Sequence, residues 1–265
     1  MLSETKINLG EDYYNHKVFQ YLNIYKDFYD SLSYSIISFT TFGIKALNID
    51  TYAYSSIKGT LESMQDILIK GRINDSYSLL RKYYDSTIIN VYTNLFLNDN
   101  VSIDNFIVTQ IDNWRNGTEK IPSYRKMINY IRESQKLSGI TKLLNPDLFE
   151  KIRKRCNENT HYNFYTNFLL NDNQILTINR IKYLEHFSAD LNAIFVQHFA
   201  YIFTLNQHYM SSSDYIDSLD VGLTPEIDSQ YWVASFIQVT FDNIIKVLRP
   251  DIANEIIKTT FMKLI

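Results

Sequence analysis

The chain has 265 residues, a formal net charge of −3 and a hydrophobic content of 45%. This content excludes a disordered chain, and the slightly acidic balance excludes a broadly basic, histone-like binder of nucleic acid. A single cysteine, Cys156, excludes an intrachain disulfide and a cysteine-rich metal site. Contact with nucleic acid would therefore require a local basic patch.

Apolar residues at helical spacing dominate the chain, which has only 7 glycines and 4 prolines. We therefore expect an all-α fold, a multi-helix bundle with additional N- and C-terminal helices. In the first part the spacing predicts helices over about 19–37, 52–70 and 77–95. Gly71 is well placed to end the second helix, so the second and third should form an αα-hairpin with a short loop.

Local signals predict the remaining elements. Asn145-Pro146-Asp147 supplies a cap, a proline at the first helical position and an acidic first turn, which together start a helix. The segment 164–176 is the least periodic and is expected to be a loop or a short hairpin. The other predictions are helices over 102–114, from Pro122, over 178–210, from Thr224-Pro225-Glu226 and from Pro250, and a loop over 211–222.

The length favours one large helical domain with helical extensions. We expect an N-terminal extension over residues 1–50, the main bundle over 51–211, and C-terminal helices over 212–265 packed on the same domain. The first residues lack the basic start and apolar run of a secretory signal. The longest uncharged stretch, 191–213, contains Asn, Gln and His, which are costly in a membrane. The sequence therefore favours a cytoplasmic protein without a membrane span.

The strongest chemical signal is Arg155-Cys156-Asn157-Glu158-Asn159-Thr160-His161. An arginine stays charged and can stabilise a phosphate, whereas a histidine can exchange a proton near pH 7. Such a pair suits RNA cleavage without a metal ion. On an ideal helix two residues six positions apart point about 120° away from each other. The helix must therefore end between them, or the pair must meet residues of a second subunit.

This segment resembles the R-x(4–6)-H signature of the HEPN superfamily, all-α domains of prokaryotic toxins and phage-defence proteins. The upstream stretch from Ile69 to Asp85, with Gly71, Leu79-Leu80-Arg81 and Asp85, resembles another helix of several HEPN-like families. The resemblance covers about residues 50–210. One departure is Cys156, which follows the motif arginine where Asn, His or Asp is usual; Asn157 comes one place later.

The resemblance implies a metal-independent endoribonuclease without a cofactor. His161 would act as general base or acid, Arg155 would stabilise charge on the scissile phosphate, and Asn157 would orient the phosphate or the imidazole. Family members commonly form homodimers whose two motifs face a shared cleft. The implied partners are RNA, a second copy of the chain, and an antitoxin or defence protein.

Several neighbours of the motif have two interpretations. Arg81 and Asp85 form either a surface ion pair or a pair that braces the motif helix. Lys151 and Lys154 form either a solvated helix face or a patch that contacts RNA phosphates. Arg155 and His161 could simply be cations at a helix C-terminus.

Two other hypotheses remain for the whole chain. The first is a non-catalytic helical module that binds nucleic acid, nucleotide or a protein partner. The second is a purely structural protein, which an Arg155–Glu158 pair on an open convex face would favour. If both motif side chains instead line an accessible basic cleft, Glu158 is a supporting residue of the catalytic site.

Overall fold

The computed structural model describes residues 9–37, 49–102, 107–173 and 178–265. Over these ranges the chain forms helices and no β-strand, with one isolated antiparallel bridge between Ser211 and Val233. The expected all-α class is confirmed. None of the helices in these ranges is long and apolar enough to cross a membrane.

Seven of the described α-helices precede Asn145. They are α1 (Glu11–Tyr14), α2 (Lys17–Ser35), α3 (Ile49–Ile69), α4 (Ile73–Asn100), α5 (Thr109–Arg115), α6 (Tyr124–Glu133) and α7 (Ser138–Leu143). Seven follow it: α8 (Pro146–Thr160), α9 (Tyr165–Leu169), α10 (Arg180–Leu205), α11 (Asp214–Asp220), α12 (Ser235–Thr240), α13 (Lys246–Leu248) and α14 (Pro250–Thr259). Short 3₁₀ turns occupy Gln207–Met210 and Ser229–Tyr231, and a π-helical turn, Phe241–Ile245, joins α12 to α13.

The helices with clear start and stop signals lie close to their predicted bounds. Asn145 caps α8 by accepting a 3.0 Å hydrogen bond from the Asp147 amide, and Pro146 occupies the first helical position. Gly71 follows α3 with a φ of +75°, a conformation that glycine adopts without strain. The starts of α8 and α14 and the end of α3 were therefore readable from the sequence.

Several predicted elements differ from those observed. The helix expected over 102–114 begins only at Thr109, and residues 103–106 lie outside the described ranges. The helix expected from Ile178 ends at Leu205, because Asn206 leaves the helical region with a φ of −129°. The expected loop 211–222 contains α11. In place of the helix expected from Thr224, the chain first forms the 3₁₀ turn Ser229–Tyr231, directly after Asp228, which is left-handed with a φ of +67°.

The segment 164–176, expected to be a loop or hairpin, contains the single-turn helix α9, and its residues 174–177 lie outside the described ranges. The stretch 1–50, expected to be an N-terminal extension, likewise includes residues 1–8 and 38–48 outside those ranges.

The chain divides into two compact units, each assembled from three stretches. One unit comprises Met1–Tyr29, Ser55–Ser86 and Asn145–Phe195, and the other Asp30–Tyr54, Thr87–Leu144 and Val196–Ile265. These boundaries differ from the sequence-based segments 1–50, 51–211 and 212–265, because α2, α3, α4 and α10 each contribute residues to both units. Sequence periodicity shows where a helix runs but not which part of it packs with which neighbour.

Aromatic side chains build much of the core of the first unit. Tyr25 stacks on Phe195 with ring centroids 3.7 Å apart and planes 7° from parallel. Buried tyrosines find polar partners: Tyr13 donates to the Leu68 carbonyl at 2.7 Å, and the hydroxyls of Tyr29 and Tyr83 lie 3.0 Å apart. Such pairs let a tyrosine fill a core without leaving a buried hydroxyl unsatisfied.

The second unit encloses a buried polar network around Asp50. Its Oδ1 accepts hydrogen bonds of 2.8 Å from both Asn90 and Asn94, and its Oδ2 accepts one of 2.8 Å from the Tyr209 hydroxyl. His198 Nε2 lies 2.9 Å from Asn90 Oδ1. The side-chain nitrogen of Asn90 donates to Asp50, so the side-chain oxygen of Asn90 is the atom that faces His198. Because this oxygen can only accept, the neutral ring of His198 carries its proton on Nε2.

Candidate functional site

Every residue of the sequence-predicted site lies in the first unit, on α4, on α8 or directly after α8. The apolar stripe of α8 consists of Phe149, Ile152 and Cys156, all buried. Burial raises the pKa of the Cys156 thiol to about 12. A buried thiol with so high a pKa does not serve as a nucleophile.

Arg155 is bound to a carboxylate of α10. Its Nε donates to Asp190 Oδ2 at 2.7 Å and its Nη2 to Asp190 Oδ1 at 2.8 Å. The side chain of Asp190 is only 4% exposed, whereas that of Arg155 is 37% exposed. Burial raises the pKa of Asp190, and the hydrogen bonds and charge of Arg155 oppose that shift. Arg155 therefore compensates a buried carboxylate and ties α8 to α10.

Arg81 and Asp85 of α4 contact α8 on a different side from Asp190 of α10. Arg81 Nε donates to Asp85 Oδ2 at 2.9 Å, and Arg153 Nη1 donates to the other oxygen of Asp85 at 2.5 Å. Arg81 Nη1 also donates to Asn157 Oδ1. The ion pair expected from the i, i+4 spacing is thus present, and it holds α8 through Arg153 and Asn157.

The seam between α4 and α8 continues toward the end of the motif. Asn74 donates to both the carbonyl and the side-chain oxygen of Asn159, each at 3.0 Å. Beyond it, the hydroxyls of Ser78 and Thr160 lie 3.0 Å apart. These contacts fix the last turn of α8 against the first half of α4.

His161 lies directly after the last residue of α8. Its amide donates to the Asn157 carbonyl at 3.0 Å, so its backbone still continues the helical bonding pattern. Its side chain is exposed and makes no hydrogen bond or ion pair with any residue in the described ranges. The chain leaves the helix at Tyr162, a non-glycine residue with a φ of +48°.

The structure does not join Arg155 to His161 by any described contact. Arg155 faces Asp190 of α10, while His161 follows Asn157, whose side chain contacts Arg81 of α4. The angular separation expected for six helical positions therefore persists, because α8 remains regular until Thr160. Asn157 lies on the His161 side and not beside Arg155.

The remaining charged candidates lie on the solvent side of α8. Lys151 is exposed, and Lys154 lies 3.7 Å from Glu158. Glu158 thus faces Lys154, and Arg155 takes Asp190 as its partner instead of Glu158. Exposed ion pairs of this kind contribute little to stability.

Sequence reasoning missed two features of this region. Asp190 was not identified from the sequence. The available signal was a charged residue between Phe187 and Leu191, which are both buried. Four exposed aromatic residues also follow His161: Tyr162, Phe164, Tyr165 and Phe168. The rings of Tyr162 and Phe168 stack with centroids 4.4 Å apart. We call these four residues the aromatic patch.

Within the described ranges, no group of three or more His, Cys, Asp or Glu side chains could hold a metal ion. Comparison of the chain with protein-family models, with curated proteins and with solved structures finds no match.

Proposed function

We propose that this chain is a metal-independent endoribonuclease of HEPN type, acting in the cytoplasm in a defence or toxin system. The observation that carries the proposal is the exposed His161 at the end of a helix whose flanks hold the guanidinium groups of Arg155 and Arg81. A histidine can supply the proton transfer and an arginine the charge stabilisation that RNA cleavage requires, because the 2′-hydroxyl of the substrate is the nucleophile.

In the reaction, the ribose 2′-oxygen attacks phosphorus and the bond from phosphorus to the 5′-oxygen breaks. His161 takes the proton of the 2′-hydroxyl or returns one to the departing 5′-oxygen. An arginine stabilises the charge that develops on the phosphate oxygens. The products are a 2′,3′-cyclic phosphate and a 5′-hydroxyl, and no oxidant, metal or cofactor is consumed.

The aromatic patch supports the proposal that the substrate is single-stranded RNA. Its exposed rings follow His161 directly in the chain, and every base can stack on an aromatic face. Lys151 and Lys154, exposed on α8, add positive charge for the phosphate backbone.

A homodimer forms part of this proposal if Arg155 and His161 act on one phosphate. Arg155 commits two donors to Asp190 and points away from His161 of its own chain. The pair would then come from two subunits facing a common cleft. The wider proposal includes an antitoxin or defence protein as a regulatory partner.

The test is cleavage of a fluorophore- and quencher-labelled single-stranded RNA in the presence of EDTA. We expect wild-type protein to cleave it and His161→Ala to be inactive with an unchanged melting temperature. His208→Ala, at an exposed histidine of the second unit, is the matched control and should retain activity. Cleavage by His161→Ala would reject the proposal.

A second function is favoured by the engagement of Arg155 with Asp190. An arginine that compensates a buried carboxylate has fewer donors left for a phosphate, which suits a module that binds RNA without cutting it. In that case the wild-type chain binds the labelled RNA without cleaving it, and Phe168→Ala weakens binding.

A further inference from the structure

We propose that Arg81 of α4, and not Arg155, contacts the scissile phosphate beside His161. The inference rests on the proposed endoribonuclease function and names the arginine of that site. It assigns Arg155 a positioning role, which is to hold α8 against α10 through Asp190.

Asn157 places the guanidinium of Arg81 on the same side of α8 as His161. His161 is four residues after Asn157, and its amide donates to the Asn157 carbonyl at 3.0 Å, so the two side chains emerge one turn apart on the same side of α8. Neighbours at this spacing have Cβ atoms about 5–6 Å apart. Because Arg81 Nη1 donates to Asn157 Oδ1, its guanidinium lies on the His161 side of the helix.

The exposed side chain of Asn157 provides the acceptor for Arg81. Its amide oxygen accepts the hydrogen bond that the guanidinium donates. A phosphate oxygen can replace it, since the displaced amide remains in water and loses little. The same bond would then become charge-assisted and stronger.

Charge is compensated differently on the two sides of α8. Asp190, whose carboxylate is buried, accepts two hydrogen bonds from the partly exposed Arg155 and has no second arginine among the described residues to neutralise. Asp85 instead divides its two oxygens between Arg81 and Arg153. The single negative charge of Asp85 is therefore shared between two guanidinium groups. It cancels less of the attraction between Arg81 and a phosphate than Asp190 cancels of the attraction between Arg155 and a phosphate.

The two arginines imply different locations for the complete site. If Arg155 contacts the phosphate, the arginine and the histidine must come from different subunits. If Arg81 contacts the phosphate, each chain carries a complete Arg81–His161 pair. Mixed dimers of inactive variants separate these arrangements, because only a site shared between subunits can be restored by mixing.

The experiment uses full-length chains with two different affinity tags, co-expressed in pairs and purified through both tags. The pairs are Arg155→Ala with His161→Ala, and Arg81→Ala with His161→Ala. Because Arg155→Ala keeps both Arg81 and His161, we expect it to cleave the labelled single-stranded RNA without a partner, and we expect the second pair to remain inactive. Restored cleavage in the second pair, or an inactive Arg155→Ala that mixing with His161→Ala restores, would overturn the inference.

Single variants provide the second readout. Arg81→Ala should lower kcat/KM by about 100-fold, the loss typical of removing one donor to a developing oxyanion. Arg81→Lys keeps the charge and should recover part of this loss, which a merely structural role would not require. Arg115→Ala is the matched control, since Arg115 also has a 19% exposed side chain and a helical aspartate partner, Asp112.

The melting temperature of each variant shows whether the fold is intact. If Arg81→Ala folds and cleaves like the wild type, the inference is wrong although the proposed function stands. If the wild-type chain does not cleave RNA at all, the proposed function is wrong and the inference falls with it.

Discussion

Arg155 and Asp190 are joined by two hydrogen bonds of 2.7 and 2.8 Å that span 35 positions of sequence. The carboxylate is buried and the guanidinium is partly exposed. The arginine that the sequence motif predicts to be catalytic is therefore a structural partner of α10. Replacing Arg155 therefore tests its effect on both the stability and the activity of the chain.

Arg155→Ala should lower the free energy of unfolding at pH 7 by about 2–3 kcal/mol, less than for a fully buried pair because Arg155 is 37% exposed. The penalty should shrink at pH 5. Burial raises the pKa of Asp190, and without Arg155 only the smaller effect of the His186 charge opposes that rise, so the folded variant takes up a proton as the pH falls. Urea unfolding at both pH values measures this, and an equal penalty at each would contradict it.

Asp50→Ala should destabilise the second unit by about 2–4 kcal/mol, because it leaves the donors of Asn90, Asn94 and Tyr209 without their acceptor. Asp50→Asn is the matched control and should cost less, since its amide keeps one oxygen for the asparagines. Burial raises the pKa of Asp50 above the unfolded value of about 3.9, so its contribution to stability falls as the pH rises through the folded pKa. Denaturant unfolding compares the variants, and equal losses would refute the network argument.

His198→Gln should remove a pH dependence from the stability of the chain. Burial lowers the pKa of His198 to about 3, while in the unfolded chain it titrates near its ordinary value of about 6.5. The folded state therefore loses stability as the pH falls below 6.5, by about 2 kcal/mol between pH 7 and pH 5. The stability difference between wild type and variant should change by this amount across that range; a constant difference would show that folding leaves the pKa of His198 unchanged.

Gly71→Ala should destabilise the first unit by about 2–3 kcal/mol, because the position has a φ of +75° and an added Cβ would lie 2.8 Å from Asn173 Oδ1 and 2.9 Å from Arg180 Nη1. Gly59→Ala, inside α3 with open space around the new Cβ, is the control and should stabilise by about 0.5–1 kcal/mol. Thermal unfolding of both variants measures the contrast. A stable Gly71→Ala would mean that this turn rearranges at little cost.

Cys156 should not react with a thiol reagent in the folded chain. It is fully buried, and burial raises its pKa to about 12, so almost no thiolate forms at neutral pH. We expect labelling by a disulfide-exchange reagent only after guanidinium chloride unfolds the protein. Rapid labelling under native conditions would show that α8 opens frequently.

The sequence by itself determined the helical class and the boundaries that depend on local chemistry. Asn145 and Pro146 start α8, and Gly71 ends α3, because a cap or a left-handed glycine acts within a few residues of itself. The Arg81–Asp85 pair was equally local, since i, i+4 spacing brings side chains together on any helix.

Only the tertiary structure decided which partners the motif residues take. Asp190 meets Arg155 from 35 positions away, and Arg81 meets Asn157 from 76 positions away. Helical periodicity gives the face on which a side chain lies but not the helix that packs against that face. Asp190 was therefore missed, and so was the contact between Asn157 and Arg81, because contacts between distant segments are set by core packing and not by local sequence.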